Sequence, residues 1–185
     1  MTTKPAVFLD RDGVINANLE HNGRPVAPRS LAEFQLLPSV EESVRRLKRR
    51  GYLVIVVTNQ PDMADGLTPR ATVEAMHDII RAELAVDDIR TCFHNDAAGC
   101  DCRKPKPGMI LKAAAEHGVD LPRSYVIGDR WRDIEAGRAA GCCTIFIDCG
   151  YRQDGPNLPD MVARSLAEAT ELILRASAPA LSDAH

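Results

Sequence analysis

Two carboxylates, Asp10 and Asp12, stand where an apolar run, Ala6 to Leu9, gives way to Gly13. Acids this close repel one another unless a cation shares them, and the end of a buried strand is where open α/β sheets collect their chemistry. Three more segments fall at the same kind of boundary. Val56-Val57 leads into Thr58-Asn59-Gln60; Val126-Ile127-Gly128 leads into Asp129 and Arg130, with Asp133 shortly after; and Cys102-Arg103-Lys104-Pro105-Lys106-Pro107-Gly108 is a basic loop opening a helical stretch. Together these residue types suit phosphoryl transfer. A carboxylate can attack phosphorus and carry the group as an acyl phosphate, and a second acid can protonate the leaving oxygen and then deprotonate water. Mg²⁺ takes oxygen ligands from carboxylates, a carbonyl and a phosphate, while a lysine and a hydroxyl steady the equatorial oxygens. Each residue has a plainer reading alone: Thr58 as a strand-end cap, Lys104 as a surface charge, Asp129 as a helix N-cap. Those readings leave the shared placement at strand ends unexplained.

A second cluster is Cys92-Phe93-His94, five residues, then Cys100-Asp101-Cys102. Three thiols and an imidazole complete a closed, structural Zn²⁺ site with no position left for catalytic water. Cys102 directly precedes Arg103-Lys104, so the metal would anchor the peptide that delivers the lysine. Cys142, Cys143 and Cys149 read as small buried hydrophobes.

The elements that must position these groups alternate along the chain. Val7–Leu9, Leu53–Val57, Ile89–Phe93, Tyr125–Ile127 and Thr144–Ile147 read as short strands buried on both faces. Ser39–Arg50, Arg70–Leu84, Pro107–His117, Trp131–Ala140 and Met161–Arg175 carry helical periodicity, with Gly51, Gly118 and Gly141 as stop signals. This alternation predicts an α/β, Rossmann-like parallel sheet with helices on both faces and right-handed crossovers. Asn16–Leu37 reads as a polar, substrate-side loop. Residues 1–176 are expected to form a single domain and 177–185 a disordered tail.

A formal charge of −3 and the lack of a basic stripe with interleaved aromatics exclude a nucleic-acid or membrane-surface partner. The Arg45–Arg50 run is a solvated helix face. No stretch is apolar and long enough to span a bilayer, and Asp10 interrupts any signal-like segment. A monomer in a reducing cytoplasm is therefore expected, its six cysteines serving as ligands or core rather than as disulfides.

The four strand-end motifs resemble those of the haloacid dehalogenase superfamily of phosphatases over nearly the whole chain. That resemblance implies Asp10 as nucleophile and Asp12 as general acid/base, with Thr58 and Lys104 stabilising the phosphoryl group. It implies Mg²⁺ bound by Asp10, Asp129 and the backbone carbonyl of Asp12, with Asp133 as an orienter. The cysteine loop with Asp-Arg-Asp-Gly-Val-Ile-Asn, Thr-Asn-Gln and Cys-Arg-Lys-Pro-x-Pro-Gly-Met is similar to the heptose 1,7-bisphosphate 7-phosphatases and the related histidinol-phosphate phosphatases, both nearly without a cap domain. The short interval from Thr58 to Lys104 agrees. Small phosphorylated metabolites are then the expected partners, with Asn59, Gln60, Arg103 and Arg130 binding substrate and Arg24 and Arg132 as further candidates. Guanidinium groups suit a second phosphate, which favours removal of the 7-phosphate from a heptose bisphosphate. Two departures favour histidinol phosphate or another small sugar or polyol phosphate: the short span from His94 to Cys100, and Asp65 in Pro61-Asp62-Met63-Ala64-Asp65-Gly66, where the heptose pattern has arginine. A zinc-stabilised domain that binds a phosphometabolite without turnover is the non-enzymatic alternative.

Overall fold

All four residues of the first strand, Ala6–Leu9, are fully buried, and such a strand must be covered on both faces. A computed structural model describes residues 3–150 and 158–177 and shows how this is done. In chain order the elements are β1 (Ala6–Leu9), β2 (Leu19–His21), β3 (Arg24–Val26), α1 (Val40–Arg49), β4 (Leu53–Asn59), α2 (Arg70–Glu83), β5 (Asp88–Cys92), α3 (Gly108–His117), β6 (Tyr125–Gly128), α4 (Trp131–Ala140), β7 (Cys143–Ile147), β8 (Met161–Ala163) and α5 (Leu166–Ala176). Six strands form one parallel sheet in the order β5-β4-β1-β6-β7-β8. Alternate side chains of β1 feed opposite cores. Val7 and Leu9 pack with Val44 and Leu47 of α1 and Ile173 of α5. Ala6 and Phe8 pack with Ile110 and Ala113 of α3 and Ala136 of α4. This is the Rossmann-like, helix-on-both-faces architecture that the alternation predicts. Among the described residues no helix is long and apolar enough to cross a membrane.

Three local expectations are corrected. The strand expected at Ile89–Phe93 is an edge strand, Asp88–Cys92, in which only Cys92 is buried. The helix expected over Met161–Arg175 is two elements. Met161–Ala163 pairs in parallel with Ile145–Ile147, and the helix starts only after Ser165, whose side chain accepts a hydrogen bond from the Glu168 N–H. Thirdly, the polar loop contains an antiparallel hairpin, Leu19–His21 against Arg24–Val26. Its turn is Asn22-Gly23, both at positive φ (53° and 72°), the two-residue Asn-Gly turn that matches strand twist. The ends of this excursion are pinned together by Ala17 N–H to Gln35 O and Leu37 N–H to Ile15 O, each 2.9 Å. The tail expected over 177–185 lies outside the described residues except for Ser177, which closes α5 and whose hydroxyl meets that of Tyr52 at 2.5 Å.

Candidate active site

The sheet order reverses direction between β1 and β6, and the crevice beyond their carboxyl ends is where such sheets bind ligands. Asp10 follows β1 and Asp129 follows β6, and the Asp10 N–H bonds Ile127 O at 2.9 Å, locking the two strand ends together. Asp10, Asp129 and Asp133 each offer a carboxylate oxygen, all within 4.8 Å of one another. Lys104 enters this cluster from the loop after β5. It is 3% exposed, donates to Asp10 Oδ1 at 2.8 Å and Val57 O at 2.7 Å, and pairs with Asp133 Oδ1 at 2.5 Å. The Asn59 side chain brackets the Lys104 peptide, donating to its carbonyl at 3.0 Å and accepting from its N–H at 3.1 Å.

Asp12 faces a different shell. Arg11 bonds both of its oxygens, Asn16 Nδ2 donates to Oδ1 at 2.9 Å, and Gln60 Nε2 donates to Oδ2 at 2.7 Å. Gln60 also donates to Thr58 Oγ1 at 2.9 Å. Thr58 and Gln60 are thus buried beneath Asp12, whereas Asn59 lines the cleft. Gly13 lies at φ +83°, and a Cβ there would sit 2.2 Å from Asp129 Oδ2, so the backbone between the two acid strands requires glycine.

Burial pushes the Asp10 carboxyl up to about 7, with Asp133 adding to the effect and Lys104 opposing it. Asp129 is raised by burial first, then by Asp10 and Asp133. Burial also pushes Asp12 upward, but the Arg11 guanidinium and the bonds from Asn16, Arg11 and Gln60 outweigh it and hold that carboxyl below its usual range. Burial disfavours the Lys104 ammonium, yet Asp10 and Asp133 reverse the shift and keep it charged. The Lys104 ammonium and, on Asp129, the Arg130 guanidinium at 3.4 Å thus face three clustered acids. Hard oxygen donors with excess negative charge fit a divalent cation of the Mg²⁺ type.

A stability prediction follows for the magnesium-free protein. With Asp10 and Asp129 raised, the folded state binds more protons than the unfolded chain between about pH 4 and pH 7. Stability must therefore fall as pH rises through that window. His77, pushed down to about 4, acts in the opposite sense up to its usual value of about 6.5 but is one group against two, and carboxyls with lowered pKa, such as Asp12, act only below the window. At neutral pH, magnesium at about 100 times its Kd restores about 2.7 kcal/mol, or roughly 5–11 °C in Tm. Thermal melts at about pH 5 and about pH 7.5, with zinc present throughout and magnesium added or withheld, check this; a magnesium-free Tm that rises across the window would contradict it.

The cysteine loop leaves β5 at Cys92. Its Sγ–Sγ separations are 3.7 Å (Cys92–Cys100), 3.2 Å (Cys92–Cys102) and 3.3 Å (Cys100–Cys102), and His94 Nδ1 lies 3.6 Å from Cys92 Sγ and 3.3 Å from Cys102 Sγ. A tetrahedral zinc with bonds of about 2.3 Å to sulfur and about 2.0 Å to nitrogen has edges of about 3.8 and 3.5 Å, which these separations approach, so the donor set fits. Burial, followed by Cys102, pushes the Cys92 thiol up to about 12. Without a cation these sulfurs do not readily coexist as thiolates.

A cleft of about 350 Å³ opens over the acids, lined also by Pro25, Val26 and Ala27 at the end of the hairpin and by Arg103, Arg130 and Arg132. Asp96, on the cysteine loop, accepts from Arg103 Nε at 2.8 Å and Arg132 Nη1 at 2.7 Å. Arg130 Nη2 donates to Pro25 O at 3.1 Å. Asp62 lines the cleft, paired with Arg29 at 2.7 Å. Asp65 instead accepts from Asn95 Nδ2 at 2.9 Å. Sequence reasoning missed Arg11, Asn18, whose Nδ2 donates to Asp129 Oδ2 at 3.0 Å, and Asp96. Arg11 had a signal, being a charge set between two catalytic-type acids. Asn18 and Asp96 had none.

Known proteins agree with this geometry. The model of the HAD-hydrolase-like family matches residues 101–169. The D-glycero-β-D-manno-heptose-1,7-bisphosphate 7-phosphatase of Rhodopseudomonas palustris is 37% identical, over 89% of this chain and 92% of its own. The enzyme of the same name from Pseudomonas aeruginosa is 36% identical, over 94% and 99%. The crystal structure of the heptose bisphosphate phosphatase from B. bronchiseptica, complexed with magnesium and phosphate, superposes with a TM-score of 0.76 at 32% identity, covering 94% of this chain and 99% of that one. With acids from β1 and β6 converging opposite a buried lysine, and with relatives this similar along their full length, the chain belongs to the haloacid dehalogenase-like phosphatases.

Proposed function

We propose that this phosphatase removes the 7-phosphate of D-glycero-β-D-manno-heptose 1,7-bisphosphate, the substrate in its relatives' names. The observation that carries the choice is the single cleft reaching from Asp10 to three guanidinium groups, Arg103, Arg130 and Arg132. They offer a second phosphate the charge and forked donors it requires.

In this mechanism Asp10 attacks phosphorus and becomes an aspartyl phosphate. Asp12, which Arg11 holds ionised in the free site, takes up a proton from the phosphate monoanion of the bound substrate, gives it to the departing sugar oxygen and later takes one from the attacking water. Lys104 holds the transferring group's negative charge, and the Thr58 hydroxyl, beneath Asp12, steadies it. Asp10, Asp129 and the Asp12 carbonyl would hold Mg²⁺, which when bound neutralises charge on the phosphoryl oxygens; Asp133 orients Lys104 through their ion pair. Cys92, His94, Cys100 and Cys102 would hold Zn²⁺, fixing the turn that presents Lys104. Gln60 orients Asp12 and Thr58, and Asn59 orients the Lys104 peptide. The protein acts as a monomer in a reducing cytoplasm, since one chain supplies the whole site and the cluster needs free thiols. Among the described residues the stretch from β1 to α1 holds only a two-stranded hairpin, too little to close over the cleft, so water has access and the phosphoenzyme is hydrolysed.

Phosphate release from heptose 1,7-bisphosphate, histidinol phosphate and fructose 1,6-bisphosphate tests the substrate, with kcat/KM highest for the first. Arg103→Ala and Arg132→Ala should each raise KM for the bisphosphate by roughly 10- to 100-fold, the worth of one charged hydrogen bond, and leave KM for a monophosphate nearly unchanged. Equal effects on both would remove the second-phosphate assignment. Asp62 is the feature that suits an amine such as histidinol phosphate. Its charge is met by Arg29, as those of Arg103 and Arg132 are by Asp96, so the substrate in the relatives' names decides the order and histidinol phosphate stands second.

A further inference from the structure

Arg11 lies between the two acids of the first motif and is 0% exposed. A buried guanidinium is tolerated only if its donors are met. Its Nε and Nη2 fork points at Asp12, at 3.1 and 2.9 Å from Oδ1 and 3.1 Å from Oδ2. The other end, Nη1, points into α2, where it meets His77 Nε2 at 3.4 Å and the Met76 sulfur at 3.8 Å. Phe34 covers the guanidinium face, 5.9 Å from the ring centroid.

His77 is 1% exposed and belongs to none of the catalytic or metal groups described above. Arginine can only donate, so Nε2 accepts and the imidazole proton resides on Nδ1, which faces Glu74 at 3.7 Å. Burial, then the Arg11 charge, with Arg81 adding and Glu74 opposing, pushes His77 down to about 4. The ring is a fixed neutral acceptor, not a switch.

We propose that His77 is a positioning residue of this phosphatase, gripping the back of the Arg11 guanidinium so that its front fork fixes the direction of the Asp12 carboxyl. The inference rests on the phosphatase reading and on the role of Asp12 in it. The geometry makes the chain of contacts stiff. The planar guanidinium cannot tilt at Nη1 without tilting at Nε and Nη2, and Asp12 takes donors on both oxygens from that fork. A carboxyl aimed away from the departing oxygen transfers its proton poorly even when its charge is unchanged. His77→Leu removes the acceptor and leaves Arg11 anchored on one side only. His77→Gln supplies an amide oxygen in its place.

The readout is the leaving group. A sugar phosphate releases an alkoxide that needs the Asp12 proton, whereas p-nitrophenyl phosphate releases a stable phenolate that does not. Both substrates are assayed with the zinc- and magnesium-loaded enzyme, for wild type, His77→Leu, His77→Gln, Arg11→Lys and the Leu/Lys double variant. His77→Leu should lower kcat/KM for the sugar phosphate by about 10- to 100-fold and for p-nitrophenyl phosphate by less than about 3-fold, with KM little altered. His77→Gln should recover most of the loss. Arg11→Lys, which keeps the charge but not the fork, should show the same dependence on leaving group, and the double variant should be no worse than Arg11→Lys alone. Equal losses on both substrates, no rescue by glutamine, or additive effects in the double variant would each overturn the proposal. If His77→Leu does not fold, His77→Met, which also lacks the nitrogen acceptor, takes its place with the same expected leaving-group dependence. A wild type inert on both substrates overturns the phosphatase reading and this inference together, whereas an active wild type with leaving-group-blind variants overturns the inference alone.

Discussion

Asp10→Asn is expected to abolish phosphate release while melting no lower than wild type in magnesium-free buffer. Loss of a covalent nucleophile costs on the order of 10⁵-fold or more in kcat, because an amide neither attacks phosphorus nor forms an acyl phosphate. The same change removes one negative charge from a buried cluster of acids. Asp10 is pushed up to about 7 by burial and by Asp133, so its ionised form strains the metal-free fold at neutral pH. Lys104 keeps Asp133 as partner at 2.5 Å and is not left as an isolated buried charge. Loss of activity with unchanged or higher Tm separates chemistry from misfolding, which would lower both. Residual activity above about 1% of wild type would remove Asp10 from the nucleophile's role.

The second large effect is expected from Cys100→Ser. Purified wild type should carry close to one zinc per chain, and the variant much less. Removing one ligand weakens a site whose binding energy is part of the folding energy, so a loss of about 3–5 kcal/mol, or roughly 6–20 °C in Tm, should follow. Activity should fall even well below the melting range. Cys102 is two residues from Lys104, and the lysine's aim depends on that turn and on the Asn59 bracket. A displaced Lys104 forfeits charge stabilisation of about 10²- to 10³-fold in kcat. Asp96 on the same loop bonds Arg103 and Arg132, so KM for a bisphosphate should rise as well. A wild type without zinc would show that the four side chains hold no structural ion, and a variant with zinc content and Tm equal to wild type would remove Cys100 from the site.

Legibility in the sequence followed the range of the interactions. The catalytic groups could be found because buried parallel strands are short and uniformly apolar, so a polar residue at their carboxyl end marks the sheet's edge by itself. The cysteine loop was readable because its ligands are local. β8 was misread because Met161–Ala163 has too few residues to distinguish a strand from a helical turn; only pairing with β7 decides it. The hairpin had its signal in Asn22-Gly23, which polar flanking residues obscured. Arg11 could not be assigned from sequence, since its meaning lies in contact with His77, 66 residues away, and no local pattern records such a pair. Asp65 is a similar case: its bond to Asn95 on the cysteine loop removes it from the substrate question that its position raises.

The hairpin's attachment has one further consequence. The excursion between Ile15 and Leu37 leaves and returns at a stem closed by two main-chain bonds, and among the described residues its strands pair only with each other. Yet Pro25, Val26 and Ala27 furnish a flank of the cleft. Fit to the sugar can therefore be recut by changing the hairpin tip from Leu19 to Ala27 alone, because Asn16, Asn18 and Phe34, nearer the stem, touch Asp12, Asp129 and Arg11. On such a scaffold taste and chemistry are inherited separately, and new substrates arise by exchanging a detachable part while the engine stays whole.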